Sequence, residues 1–158
     1  MMVQFKIVVK YLYVEYLLGN KTLAILKPDC IEKNLIGQVI VKITEAGFKI
    51  KAMKMVRLNK DSAAGFYDIH KHQPWFNRLI NYMISGPCII IALEKDNAVA
   101  DFRTLIGATD PVKADEGTIR KLYAKNETEN IVHGSDSDES AETEICHFFS
   151  RKELLENY

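Results

Sequence analysis

The sequence predicts an α+β fold, a ferredoxin-like sandwich in which a four-stranded antiparallel sheet is covered by helices. Two apolar runs of strand length, residues 21–26 and 88–93, are each flanked by a proline that cannot join a ladder. Between them Leu35, Val39, Ile43 and Ala46 recur at the spacing of an amphipathic helix. The elements then run strand, helix, strand, helices, strand, helix, long loop, strand, helix, an order that suits the sandwich, although periodicity alone leaves other strand orders open.

Taken along the chain, residues 21–26 read as a buried strand ended by Lys27-Pro28-Asp29, with Lys27 at the exit. The helix expected from Ile31 to Ala46 stops at Gly47. Phe48, Ile50 and Ala52 alternate with lysines as a half-exposed strand does, and the phase shifts near Met53 and Met55, where a bulge is expected. Residues 61–67 and 74–84 read as two helical pieces, with Pro74 opening the second. The run 88–93 suits a central strand buried on both faces. Asn97 is expected to cap a helix that reaches Ile106 and ends at Gly107. Residues 107–130 show no clear periodicity and predict a long functional loop poor in core residues of its own. A short strand, 130–133, and a helix through Phe149, begun by the acidic stretch 134–139, complete the order.

A chain of 158 residues can bury one substantial core without disulfides or a structural metal. Its formal net charge is zero, which provides no whole-molecule field for nonspecific nucleic-acid binding. The charge is uneven: residues 1–60 carry 11 Lys or Arg against 4 Asp or Glu, a balance of +7 that the remainder offsets, so a local anion site remains available. Cys30, Cys88 and Cys146 show no metal-ligand spacing and are expected to be free buried thiols of a cytoplasmic protein. Residues 1–19 form an N-terminal extension of unknown role, and residues 20–158 the domain. Lys6, Lys10 and Glu15 interrupt the extension's apolar stretch, which argues against a membrane span, and no small-residue cleavage site follows. An extra strand, an arm or an upstream translation start all remain open for it.

Among four histidines, His133 stands apart: it ends an apolar strand, precedes glycine, and faces a helix start rich in backbone donors suited to anions. His70 and His72 are two apart on an expected helix and do not share a face, so no metal pair is predicted. His147, beside Phe148 and Phe149, reads as structural. Lys27, Arg103, Thr109, Arg120 and Asn130 could converge on a triphosphate, although taken singly each reads as a surface residue. Neither a Walker motif nor a GxGxxG fingerprint is present to account for them.

Three blocks, Thr22-x-x-x-x-Lys27-Pro28-Asp29, Gly117-Thr118-Ile119-Arg120 and Asn130-Ile131-Val132-His133-Gly134-Ser135-Asp136-Ser137, together resemble the nucleoside diphosphate kinase family, over about residues 20–156. The resemblance implies a ping-pong enzyme in which a nucleoside triphosphate, usually ATP, gives its γ-phosphoryl to His133 and a nucleoside diphosphate then takes it. It implies that Glu144 orients the imidazole, and that Lys27, Tyr67, Arg103, Thr109, Arg120 and Asn130 grip phosphates and ribose. It assigns the base to Trp75, with His70 and Leu79 beside it; an indole in the core is the competing reading for Trp75. Mg2+ is expected to ride on the nucleotide phosphates with no dedicated protein cage. The resemblance further implies a homo-oligomer, tetramer or hexamer, with the 107–130 loop packed near subunit contacts, and needs neither nucleic acid nor a membrane.

The chain departs from the family where many members have Gly-Asp-Phe and it has Lys121-Leu122-Tyr123, and where Glu116 replaces a frequent proline. Two other functions compete. A nonenzymatic nucleotide-binding member would lack the histidine or a phosphate ligand, and here every position is filled; a small nucleic-acid binder would show a basic sheet face interleaved with aromatics, which is not seen.

Overall fold

In the computed structural model, which describes residues 20–155, strand β1 (Lys21–Leu26) is buried at all six positions. It is interior to a four-stranded sheet of order β2-β3-β1-β4, between β3 (Cys88–Glu94) and β4 (Val132–Gly134), with β2 (Lys49–Val56) beyond β3. All three pairings are antiparallel. Because side chains alternate along a strand, β1 feeds two cores. Ala24 and Leu26 pack with Val39, Ile43, Phe102 and Ile106, while Leu23 and Ile25 pack with Ala63, Ile80, Met83 and Ile145.

Helices cover both faces. The first core lies under α1 (Pro28–Glu32), α2 (Ile36–Glu45), α5 (Ala98–Ile106) and α6 (Ile119–Tyr123). The second lies under α3 (Lys60–Phe66), α4 (Phe76–Met83), α7 (Asp138–Phe148) and α8 (Arg151–Leu155). The four-stranded antiparallel sheet covered by helices is the predicted fold. The pairing of Ile25 with His133 and Leu26 with Val132 sets the end of β1 beside the residues that precede the histidine.

Several local expectations are corrected. The helix expected from Ile31 to Ala46 is two helices, separated where Asn34 takes a left-handed backbone at φ 57, which asparagine tolerates. The register shift in β2 lies between Ile50 and Ala52, so the bulge is at Lys51, ahead of the methionines. Pro74 lies in a turn closed by the Phe76 N–H to Gln73 O bond, and α4 begins at Phe76. His70 is in a 3₁₀ turn, Asp68–His70, with His72 just beyond it. Asn97 precedes α5 but has a left-handed backbone at φ 55, and its side chain caps nothing. Gly107 does end α5, at φ 82, and a Cβ there would lie 2.4 Å from Thr118 Oγ1.

The 107–130 stretch is not poor in packing of its own. It contains α6, buries Ala114 and Ile119, and receives the Lys42 ammonium on Gly117 O. The last strand is Val132–Gly134, because Ile131 has positive φ and cannot join the ladder. Cys30 and Cys88 are buried free thiols, whereas Cys146 is exposed on α7, since its helical position turns away from the Ile145 face. No described helix is long and apolar enough to cross a membrane. The readings offered for residues 1–19 lie outside the described residues.

Candidate active site

Asn130, Ile131 and Val132 form a γ-turn closed by a 2.8 Å bond from Val132 N–H to Asn130 O, with φ 74 at its centre, Ile131. A β-branched residue in this conformation is strained and must be held by its surroundings. Two bonds hold it: Ile131 N–H donates to Asp29 Oδ2 at 3.2 Å, and Ile131 O accepts Lys27 N–H at 2.9 Å. His133 follows directly, paired with Ile25 across the sheet.

The His133 ring is oriented from behind. Its Nε2 lies 2.9 Å from Glu144 Oε2 on α7. Ser135 Oγ donates to the same oxygen at 2.7 Å and accepts Leu23 N–H at 3.1 Å, which ties the carboxylate to β1. A carboxylate only accepts, so the imidazole proton is held on Nε2 and Nδ1 keeps its lone pair. Phe66 packs edge-on against the ring at 5.4 Å between centroids.

The cationic side chains are costly to bury and are arranged around this ring. Lys27, 5% exposed, donates to Asn130 Oδ1 at 2.6 Å. Burial lowers its pKa to about 7, helped by the Arg120 charge and partly offset by Asp29 and Cys88. Asn130 Nδ2 in turn donates to Glu127 O at 2.9 Å. Arg120, from α6, donates through Nη1 to Gly107 O and through Nη2 to Val132 O, each at 2.9 Å. Burial, with Arg103 nearby, pulls its pKa down to about 10. Arg120 Nε and the Tyr67 hydroxyl are buried without a hydrogen-bond partner, and burial pushes the Tyr67 phenol well above its ordinary range.

Every side chain singled out in the sequence lines one cleft of about 420 Å³. Lys27, Arg103, Thr109, Arg120 and Asn130 bring donors and positive charge to it, and Tyr67, His133 and Glu144 lie among them. Trp75, His70 and Leu79 form its apolar lining, with the Trp75 and His70 rings 5.2 Å apart. Trp75 is 37% exposed, so it faces the cleft and is not a core residue. Phe66, Ile69, Arg78 and Glu127 also line the cleft with no motif to mark them, and Asp136, within the third block, lines it as well. Asp29 and Ser135 lay inside the quoted blocks, but their supporting roles depend on partners 102 and 112 residues away and leave no local signal. His147 is exposed on α7, where its ring meets Phe66 at 5.6 Å between centroids, and it does not line the cleft.

This arrangement fits transfer of an anionic group to an imidazole nitrogen, and the comparisons with known proteins agree. The family model described as nucleoside diphosphate kinase matches residues 20–154. Nucleoside diphosphate kinase of Chloroherpeton thalassium is 61% identical over 138 residues, covering 87% of this chain and 98% of that protein. The enzyme of Chlorobium limicola is 58% identical over 136 residues, covering 86% and 97%. Among solved structures, Aquifex aeolicus nucleoside diphosphate kinase superposes with a TM-score of 0.84 at 38% identity, over 86% of this chain and 99% of that one. A halophilic nucleoside diphosphate kinase from Halobacterium salinarum, solved in complex with CDP, gives 0.83 at 33% identity, over 87% and 91%.

Proposed function

The chain belongs to the nucleoside diphosphate kinase family, whose members pass the γ-phosphoryl group of a nucleoside triphosphate to a nucleoside diphosphate through a phosphohistidine, and we propose that His133 carries that group on Nδ1. The observation that carries this reading is the 2.9 Å contact of Nε2 with Glu144, which leaves Nδ1 as the ring's nucleophile. In the first half-reaction Nδ1 attacks the γ-phosphorus, the bond to the bridging oxygen breaks, and the diphosphate leaves with that electron pair. In the second half-reaction a diphosphate oxygen attacks the same phosphorus and the imidazole leaves with its electrons. One cleft serves both directions.

Lys27, Arg103 and Arg120 neutralise the charge that spreads over the transferring oxygens, the largest contribution expected in phosphoryl transfer. The buried, unpartnered Arg120 Nε and Tyr67 hydroxyl supply donors for the same oxygens. Thr109 and Asn130 add hydrogen bonds to phosphate and ribose. Trp75, with His70 and Leu79, offers an apolar face on which any base can stack. The CDP of the Halobacterium salinarum structure supports a nucleoside diphosphate as the ligand of this cleft.

A Mg2+ ion carried mainly by the nucleotide's own phosphate oxygens would supply neutralising charge there. Asp136 is a cleft carboxylate that would hold a water bound to such an ion. We take residues 20–158 as the catalytic domain and the cytoplasm, where free thiols persist, as its compartment. The active form is a homo-oligomer, tetramer or hexamer.

The test is incubation with γ-labelled ATP and no acceptor. Acid-labile, base-stable label is expected on the protein, discharged by any added diphosphate and absent from His133→Ala, which should still bind ADP. Normal turnover by His133→Ala would remove His133 from the mechanism.

A further inference from the structure

We propose that Asp29 and Tyr82 form a positioning link through which the helix gripping the base sets the geometry of the nucleophile. The link rests on reading His133 as the phosphoryl carrier and Trp75 as a contact of the base. Asp29 is 2% exposed, and its two carboxylate oxygens serve different elements. Oδ2 accepts Ile131 N–H, at the centre of the γ-turn. Oδ1 accepts the Tyr82 hydroxyl at 2.5 Å, and that hydroxyl accepts Asp29 N–H at 3.4 Å.

Tyr82 belongs to α4, the helix that Trp75 leads into and that carries Leu79. Trp75, Leu79 and Tyr82 follow one another at spacings of four and three, the spacing of neighbours on one helical face. The γ-turn supplies Asn130, which holds Lys27, and leads into His133. One buried carboxylate therefore bonds the base-gripping helix at one oxygen and the nucleophile's turn at the other.

Strain makes the turn responsive. Ile131, at φ 74, keeps its conformation only while its N–H and C=O are held, and Asp29 binds the N–H that a relaxing backbone would rotate. A base seated on Trp75 biases the position of α4; Tyr82 passes that bias to Asp29, and Asp29 to the turn. A displacement of about 1 Å at the attacking atom is enough to cost roughly a hundredfold in rate, so a small shift has a measurable effect.

The test is a double-mutant cycle between Tyr82→Phe and Trp75→Leu in the full-length protein, read as the single-turnover rate of His133 phosphorylation at saturating ATP and Mg2+. Tyr82→Phe removes only the hydroxyl. With Trp75 present it should slow phosphorylation about tenfold, within the usual range for coupled sites. In the Trp75→Leu background the slowing should be less than about twofold. Asp29→Asn, which loses one of the two acceptors, should repeat the pattern and replaces Tyr82→Phe if that variant does not fold. Equal slowing in both backgrounds, or a lower melting temperature with an unchanged rate, would overturn the link. Absence of label on His133 in the unaltered protein would instead overturn the reading on which the link rests.

Discussion

Lys27 and Asn130, 103 residues apart in sequence, share a 2.6 Å hydrogen bond that ties the exit of β1 to the turn before His133. The bond holds a buried ammonium, its pKa lowered by burial to about 7, at the cleft that His133 also lines.

That pKa gives a sign for pH effects. Lys27 stays charged to about 10.5 in the unfolded chain but only to about 7 in the folded free protein. Between those values the unfolded chain binds more protons, so this group makes the free protein more stable as pH rises. A bound polyphosphate favours the charged form and reverses the shift. ADP binding at pH 8 should therefore take up roughly one proton, measured by calorimetry in buffers of different ionisation enthalpy. Lys27→Gln should abolish the uptake; persistence of the uptake would assign it to another group.

Glu144 and Ser135 hold the imidazole as a unit. Glu144→Ala should lower the rate of His133 phosphorylation by about 10–100-fold, because the proton is no longer held on Nε2. Ser135→Ala removes a donor to Glu144 and leaves Leu23 N–H without its acceptor, so it should cost about 1–3 kcal/mol of stability as well as rate. Rapid-quench labelling and denaturant titration separate the two effects.

Gly134 is a packing requirement of β4. A Cβ there would lie 2.7 Å from Phe102 Cδ1 and 3.1 Å from Ile106 Cδ1, both on fully buried side chains of the core. Gly134→Ala should destabilise by about 1–3 kcal/mol. Gly37→Ala on α2, where a Cβ meets nothing within 4 Å, should instead stabilise by about 0.5–1 kcal/mol. Melting temperatures moving in opposite directions would bear out both; a neutral Gly134→Ala would refute the clash.

Assembly can be tested through exposed apolar side chains. Val112 on the 107–130 loop is 82% exposed, Ile69 at the cleft is 81% exposed, and Met55 on β2 is 58% exposed. Such residues are the ones subunit contacts would cover. Val112→Asp should shift the protein toward smaller species in sedimentation and lower heat stability and activity together. A fully active monomer at assay concentration would uncouple assembly from catalysis, leaving the chemistry at His133 unaffected.

The sequence by itself determined the order of the four strands and the longer helices between them, though not the split of the first helix, α6 or α8, because burial and chain breaks leave local marks: the apolar runs at 21–26 and 88–93, the stripe through Val39 and Ile43, and the glycine that ends α5. Its three motif blocks also carried the resemblance from which the site residues were assigned, and all of them line one cleft. Other features required the tertiary structure. Nothing local distinguishes Trp75 facing a cleft from an indole in the core, or marks Asn34 as the break between α1 and α2. Asp29 and Ser135 find their partners across 102 and 112 residues, and hydrogen bonds at such separation impose no periodicity on the chain. Ile131 is the clearest case: a β-branched residue favours extended backbone when read locally, and only the bonds to Asp29 and Lys27 hold it in the left-handed turn before His133.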